Sequence, residues 1–178
     1  AVTSLGGIVL STSLRIAGDE LDEAIVTYVK KKYNILIGEV TAEMLKKKIG
    51  SVHPCVDRGI MEVRGRNLLN GLPAIINISS AEVREAMHEQ VVHIVEAIRT
   101  TLENTPPELS SDIYDNGIML AGGGALLGGL DALITHVTGI RATVAKTPLD
   151  AVAVGIGHVI ESMGDANDIV QYRNRSSR

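Results

Sequence analysis

Apolar and polar positions follow two different periods along this chain, and each change of period marks an element. Near the start, apolar stretches at residues 2–5 and 8–14 flank Gly6-Gly7. Two glycines can supply the positive φ of a tight turn, so a β-hairpin turning at that pair is predicted. From Gly18-Asp19 the period lengthens. Leu21, Ile25, Tyr28 and Val29 share one face of a helix. Asp19 is its expected N-cap, and Lys30, Lys31 and Lys32 suit its C-terminus. Gly38 breaks the pattern. Thr41 is expected to cap a short helix over 42–49, which Gly50 ends. Residues 51–59 read as loop. Residues 60–63 and 74–78 read as strands, joined by a glycine-containing stretch at 64–73.

Ser79-Ser80-Ala81-Glu82 is a capping box. It opens the cleanest helical stripe in the chain: Val83, Met87, Val91, Ile94, Val95, Ile98 and Leu102. Thr105-Pro106-Pro107 stops that helix and starts another. Residues 118–121 form a short apolar run bounded by glycine, hence a buried strand. Gly122-Gly123-Gly124 follows, then an expected helix over 125–137 and a strand over 140–145. Thr147-Pro148-Leu149-Asp150 predicts a cap with proline at the first helical position, opening a last helix to about Met163. The polar tail 164–178 is expected to be mobile. From Asp112 onward helices and strands alternate, which is the α/β pattern. The middle, 18–80, is organised differently and reads as an insertion.

Composition narrows the picture. The 178 residues are 45% hydrophobic and contain neither Trp nor Phe, so the core is aliphatic. A net charge of −4, with four Tyr and no basic patch around them, argues against nucleic acid as a partner. A single cysteine, Cys55, rules out an internal disulfide framework. No apolar run approaches the roughly 20 residues of a membrane span. Ala1 stands where a strand has already begun, without cap or initiator Met, so the chain reads as a segment of something longer.

Candidate chemistry centres on the strand–glycine–helix unit at Gly122-Gly123-Gly124. Glycines let a ligand approach the backbone, and a following helix N-terminus offers free N–H groups to a phosphate or nucleotide. The alternative is a plain tight turn. The spacing matches neither GxxxxGK[ST] nor GxGxxG, which disfavours P-loop and Rossmann chemistry. Glu43 and Lys46, three apart, fall on one side of the short helix. By spacing alone they are an ordinary surface ion pair. His53 and Cys55 lie in a loop with no second ligand pair, and His88 and His93 are about 140° apart around a helix, so no metal site is assigned. No catalytic residue is assigned either. The acidic run Asp19, Glu20, Asp22 and Glu23 is expected to compensate a helix dipole.

Several stretches together resemble the MreB-type bacterial actin-like proteins. They are Ile16-Ala17-Gly18-Asp19-Glu20-Leu21-Asp22-Glu23-Ala24-Ile25, Ile37-Gly38-Glu39-Val40-Thr41-Ala42-Glu43, Met61-Glu62-Val63-Arg64-Gly65-Arg66-Asn67-Leu68, Gly71-Leu72-Pro73, Thr105-Pro106-Pro107-Glu108-Leu109 and the glycine unit 122–127. The resemblance spans about residues 1–161. It implies an actin-like ATPase fold, of which this chain is the second lobe: a base α/β subdomain from 1–17 plus 81–163, and an inserted α+β upper subdomain from 18–80.

The resemblance further implies that Gly122, Gly123, Gly124, Ala125 and Leu126 form an adenosine-binding loop, and that Glu43, Met44, Leu45 and Lys46 meet the adenine and ribose. ATP, with Mg2+ in the full-length protein, is the implied cofactor. A phosphate loop of Asp-Ile-Gly-Gly-Gly-Thr type is expected just before Ala1, and the other phosphate loop and the catalytic carboxylate on the other lobe. The chain alone is therefore expected not to hydrolyse ATP. Implied partners are further copies in filaments, membrane-linked cell-shape proteins and the wall-elongation machinery. Membrane contact would come through the other lobe, and the location is cytoplasmic, in membrane-associated filaments. Two alternatives stay open: a small-molecule kinase or chaperone-type ATPase lobe of the same superfamily, and an interaction lobe without measurable nucleotide binding.

Overall fold

The structure, a computed structural model, describes residues 1–162. The expected tail at 164–178, and Met163 as the end of the last helix, lie outside the described residues.

The chain opens with the antiparallel strands β1 (Val2–Ser4) and β2 (Gly7–Leu10). The turn sits one residue earlier than predicted. Leu5 (φ 49°) and Gly6 (φ 75°) supply the two positive φ values of the turn, and Gly7 belongs to the strand.

Helix α1 (Gly18–Tyr33) buries Leu21, Ile25 and Val29 as its period requires. Its N-cap is Ala17, not Asp19: the Ala17 N–H donates to Glu20 Oε2 at 2.8 Å. Asn34, in the left-handed conformation, ends it and turns the chain into β3 (Ile35–Leu36). Helix α2 (Glu39–Ile49) starts at Gly38, so Thr41 lies inside its first turn, donating its N–H to Gly38 O at 3.0 Å. Gly50 ends it in an extended conformation, and the position admits only glycine because a Cβ there would stand 2.2 Å from Lys46 O.

Strands β4 (Ile60–Asn67) and β5 (Pro73–Ser79) run further than their apolar cores. The polar residues Arg64, Gly65 and Arg66 are strand because they pair with Ile75, Ala74 and Pro73. With β3 they form a sheet of order β3-β4-β5. Gly65 makes that sheet possible: a side chain there would meet Ile35 Cγ2 at 2.4 Å and Leu36 O at 2.6 Å.

Helix α3 (Ser80–Glu103) begins at the predicted capping box. The Glu82 N–H donates to Ser79 Oγ, and the Ser79 N–H donates to Glu82 Oε2 at 2.8 Å. Helix α4 (Pro107–Asn116), β6 (Ile118–Leu120), a single 3₁₀ turn (Gly123–Leu126), α5 (Leu130–Thr138), β7 (Ala142–Val144) and α6 (Ala151–Ser162) complete the described chain. β6 and β7 are parallel, joined through α5 as an α/β crossover. Pro148 does not sit inside the last helix. Residues 147–150 form a turn closed by Asp150 N–H on Thr147 O, and α6 starts after it.

One aliphatic core joins these pieces. Ile25, Val29, Leu45, Ile78, Val83 and Met87 pack between α1, α2, the sheet and α3, and Leu127, Leu130 and Ile134 extend the same core to α5. The C-terminal half of the α3 stripe, Ile94, Ile98 and Leu102, lines a cavity of about 900 Å³ bounded by β1, α4 and β6, with Ile98 also packed against the core. Among the described residues no helix is long and apolar enough to cross a membrane.

Candidate functional site

The glycine unit after β6 differs from expectation in a way that changes its chemistry. No α-helix follows it directly. Gly122 (φ 80°) donates its N–H to Pro148 O at 2.7 Å, and the chain then makes one 3₁₀ turn. Leu127 is extended and buried, Gly129 takes a left-handed φ of 80°, and only then does α5 begin. The break arises from packing. A Cβ on Gly128 would meet the Arg58 guanidinium at 2.8 Å and Gly50 O at 3.0 Å, and one on Gly129 would meet His53 Cβ at 2.8 Å. The dipole of a long helix therefore does not back the three glycines.

The fold explains only part of the glycine run. Gly122 is required by its positive φ. Gly123 and Gly124 have ordinary φ. A Cβ on Gly124 would meet nothing within 4 Å, and one on Gly123 only Leu149 at an ordinary 3.6 Å. Their N–H groups open the 3₁₀ turn and have no acceptor within it. Intramolecular packing does not account for glycine at these two exposed positions. Ala125 is buried, so it can meet a ligand only through its backbone, whereas Leu126 is half exposed.

On α2 the four candidate residues divide. Leu45 is completely buried in the core and could contribute only its backbone, while Met44 reaches the surface. Glu43 and Lys46 do not pair with each other. Glu43 Oε1 lies 2.7 Å from Lys47 Nζ, one helical turn on, and that ammonium holds its carboxyl below the usual range. Lys46 Nζ donates to Asp22 Oδ2 at 2.7 Å and to Gly18 O at 2.8 Å, in a nearly buried setting. Two of its three protons are thereby engaged and one remains.

Asp22 is the residue that sequence reasoning placed wrongly. It does not simply compensate a dipole; it is buried, and its Oδ1 has no partner. A signal was available: Asp22 falls three and seven residues before Ile25 and Val29, on the buried stripe. Glu20 of the same acidic run caps Ala17, and that hydrogen bond lowers its pKa.

The two halves meet at one junction. Ser51, just past α2, forms an isolated parallel bridge with Gly128, just past the 3₁₀ turn, and Val52 N–H donates to Gly128 O at 2.8 Å. Neither the cavity beside β1 and β6 nor a smaller one at residues 36–40 is lined by Glu43, Lys46 or the glycines. Among the described residues no group of three or more His, Cys, Asp or Glu side chains could hold a metal ion.

The family model described as MreB/Mbl protein matches residues 1–168. The chain belongs to the MreB/Mbl family. It is 46% identical over 163 residues to the cell shape-determining protein Mbl of Bacillus subtilis (strain 168), covering 92% of this chain and 49% of that protein. It is 50% identical over 161 residues to the cell shape-determining protein MreB of Escherichia coli (strain K12), covering 90% of this chain and 46% of that protein. Among solved structures, MreB5 of Spiroplasma citri bound to ADP superposes with a TM-score of 0.85 at 37% identity, over 90% of this chain and 49% of that one. The same protein bound to AMPPNP gives 0.83 at 35% identity, over 97% of this chain and 50% of that one. The fold is thus that of an actin-like MreB protein, and this MreB/Mbl chain spans about half the length of the relatives it matches.

Proposed function

We propose that this chain is the nucleoside-binding half of a filament-forming MreB/Mbl protein that maintains rod shape by organising peptidoglycan synthesis. On this proposal Gly122–Leu126 and Glu43–Lys46 face one adenine nucleotide, with residues 1–17 and 81–163 as base and 18–80 as the upper subdomain. The observation that carries it is the pair Gly123 and Gly124, glycines that neither φ nor packing demands, five and four residues before the junction that anchors α2. An approaching ligand accounts for them: a Cβ would stand between it and the backbone N–H groups. Relatives solved with ADP and with AMPPNP support the same ligand class.

ATP is the proposed ligand, and its phosphates would carry Mg2+. Hydrolysis, filament assembly, contact with membrane-linked cell-shape proteins and placement of filaments beneath a membrane belong, on this proposal, to the whole protein. Calorimetric titration of ADP into the chain tests the core of it. Weak binding is expected, because half a cleft gives up the phosphate contacts, and Gly124→Ala should weaken it further. ADP affinity unaffected by Gly124→Ala and by Lys46→Met would remove the proposed site.

A further inference from the structure

The buried polar cluster behind the Ser51–Gly128 junction has no part in the ligand contacts proposed above. Ser51 and Ser80 are both completely buried, and Ser80 Oγ lies 3.2 Å from Ser51 Oγ. Arg84, on the first turns of α3, donates from one terminal nitrogen to Ser51 Oγ at 3.2 Å and to His53 O at 3.4 Å. No carboxylate forms a salt bridge with Arg84 among the described residues. A half-buried guanidinium without a counter-ion directs its charge into the segment it touches, here through two long contacts shared by one nitrogen.

That segment has unusual leverage. Its residues 50–53 are pinned from the other side by Gly128 and Gly129, whose missing side chains allow contact with Gly50 O, Arg58 and His53. Upstream of Gly50 runs α2, a rigid rod carrying Glu43–Lys46. Upstream of Gly128 run Gly122 and the 3₁₀ turn Gly123–Leu126. Both halves of the candidate site therefore hang from one junction, and Arg84 is the charged side chain that fastens it to α3.

We infer that Arg84 is the positioning residue that sets the spacing between α2 and the glycine turn. It touches no ligand itself. The inference rests on the proposed nucleotide site for its consequence, but the spacing can be measured without any nucleotide.

The experiment uses the full chain in two forms. In the first, with Cys55→Ser, nitroxide labels at Met44→Cys and Leu126→Cys report the distance across the site by electron–electron double resonance. In the second, unlabelled, amide exchange reports the Val52 N–H that donates to Gly128 O. Arg84→Met keeps the aliphatic stem and removes the donors. It should broaden the distance distribution and speed Val52 exchange about tenfold, with Val29 and Met87 amides unchanged. It should also weaken ADP binding about tenfold, and Arg84→Lys should restore part of both effects. Ser51→Ala, which removes one acceptor, should give a smaller change in the same direction and serves if Arg84→Met does not fold. An unchanged distance and unchanged Val52 exchange would overturn the assignment, as would acceleration shared equally by all core amides. A loosened junction with ADP affinity intact would overturn its link to the ligand. If the parent chain binds no ADP, the nucleotide proposal falls, while the distance and exchange results still decide the role of Arg84.

Discussion

Lys46 Nζ stands 2.7 Å from Asp22 Oδ2, and the other carboxylate oxygen of Asp22 is buried without a partner. The pair ties α2 to the first turns of α1, and the Lys46 ammonium also closes on Gly18 O, where α1 begins. Removing one partner leaves the other charge in a poorly solvated place. Asp22→Asn should therefore cost about 3 kcal/mol of stability, measured by urea denaturation. The double variant Asp22→Leu with Lys46→Met should recover most of that loss. A double variant as unstable as Asp22→Asn would show that the cost lies in packing and not in an orphaned charge.

Glycines in this chain divide by what demands them. Gly124→Ala should leave the thermal midpoint unchanged or slightly raised, because the site is open and alanine restricts the unfolded chain. Its measurable effect should be on adenine nucleotide affinity, a loss of about tenfold, or about 1.4 kcal/mol. Gly117→Ala should behave in the opposite way. Its φ is 81° and a Cβ would meet Arg141 O at 2.5 Å, so about 1–3 kcal/mol of stability should be lost. Equal effects of the two substitutions on stability would refute this division.

Glu82 predicts a pH dependence. Burial pushes its carboxyl up, but hydrogen bonds from Tyr33, Lys32 and Ser79 outweigh burial and hold it down at about 2, against an ordinary 4.5. A carboxyl lowered by folding stabilises fully above its unfolded value and loses that contribution as pH falls through the folded one. The stabilisation should thus be present above about pH 4.5 and drain away between there and about pH 2. Because this group is largely but not wholly shielded, about 1–2 kcal/mol is expected after screening. Denaturation of Glu82→Gln across pH 2 to 7 should show a flatter acid limb than the parent. Parallel limbs would assign the acid loss to other carboxyls.

The core makes a simpler prediction. Met87 is fully buried where α3 faces α1 and the sheet. Met87→Ala should cost about 2–5 kcal/mol by calorimetry or denaturant, whereas Met119→Ala, at an exposed strand position, should stay within about 0.5 kcal/mol.

Much of this protein was legible along its chain. The α3 stripe, the Ser79–Glu82 box and the existence of the strand at 118–120 depend on neighbours three or four residues away, or on a local run, and such signals are complete within one element; the burial predicted for that strand is not found, since Met119 is exposed. Family membership was legible for a related reason, since it rests on short stretches of residues read in order. Contacts between distant segments left no such trace. The two-residue strand β3 exists because β4 lies beside it and Gly65 lets it close in; by itself Ile35-Leu36 has no period to read. The polar half of β4 is strand through its partners in β5. The 3₁₀ turn replaced an expected helix because Gly128 and Gly129 must lie flat against Gly50, Arg58 and His53, which are some seventy to eighty positions away in the chain. The choice of Asp22 over Glu43 as the partner of Lys46 has the same origin. Periodicity records which face of an element avoids water, but which element covers that face is settled only when the whole chain packs and each buried polar group must find its partner.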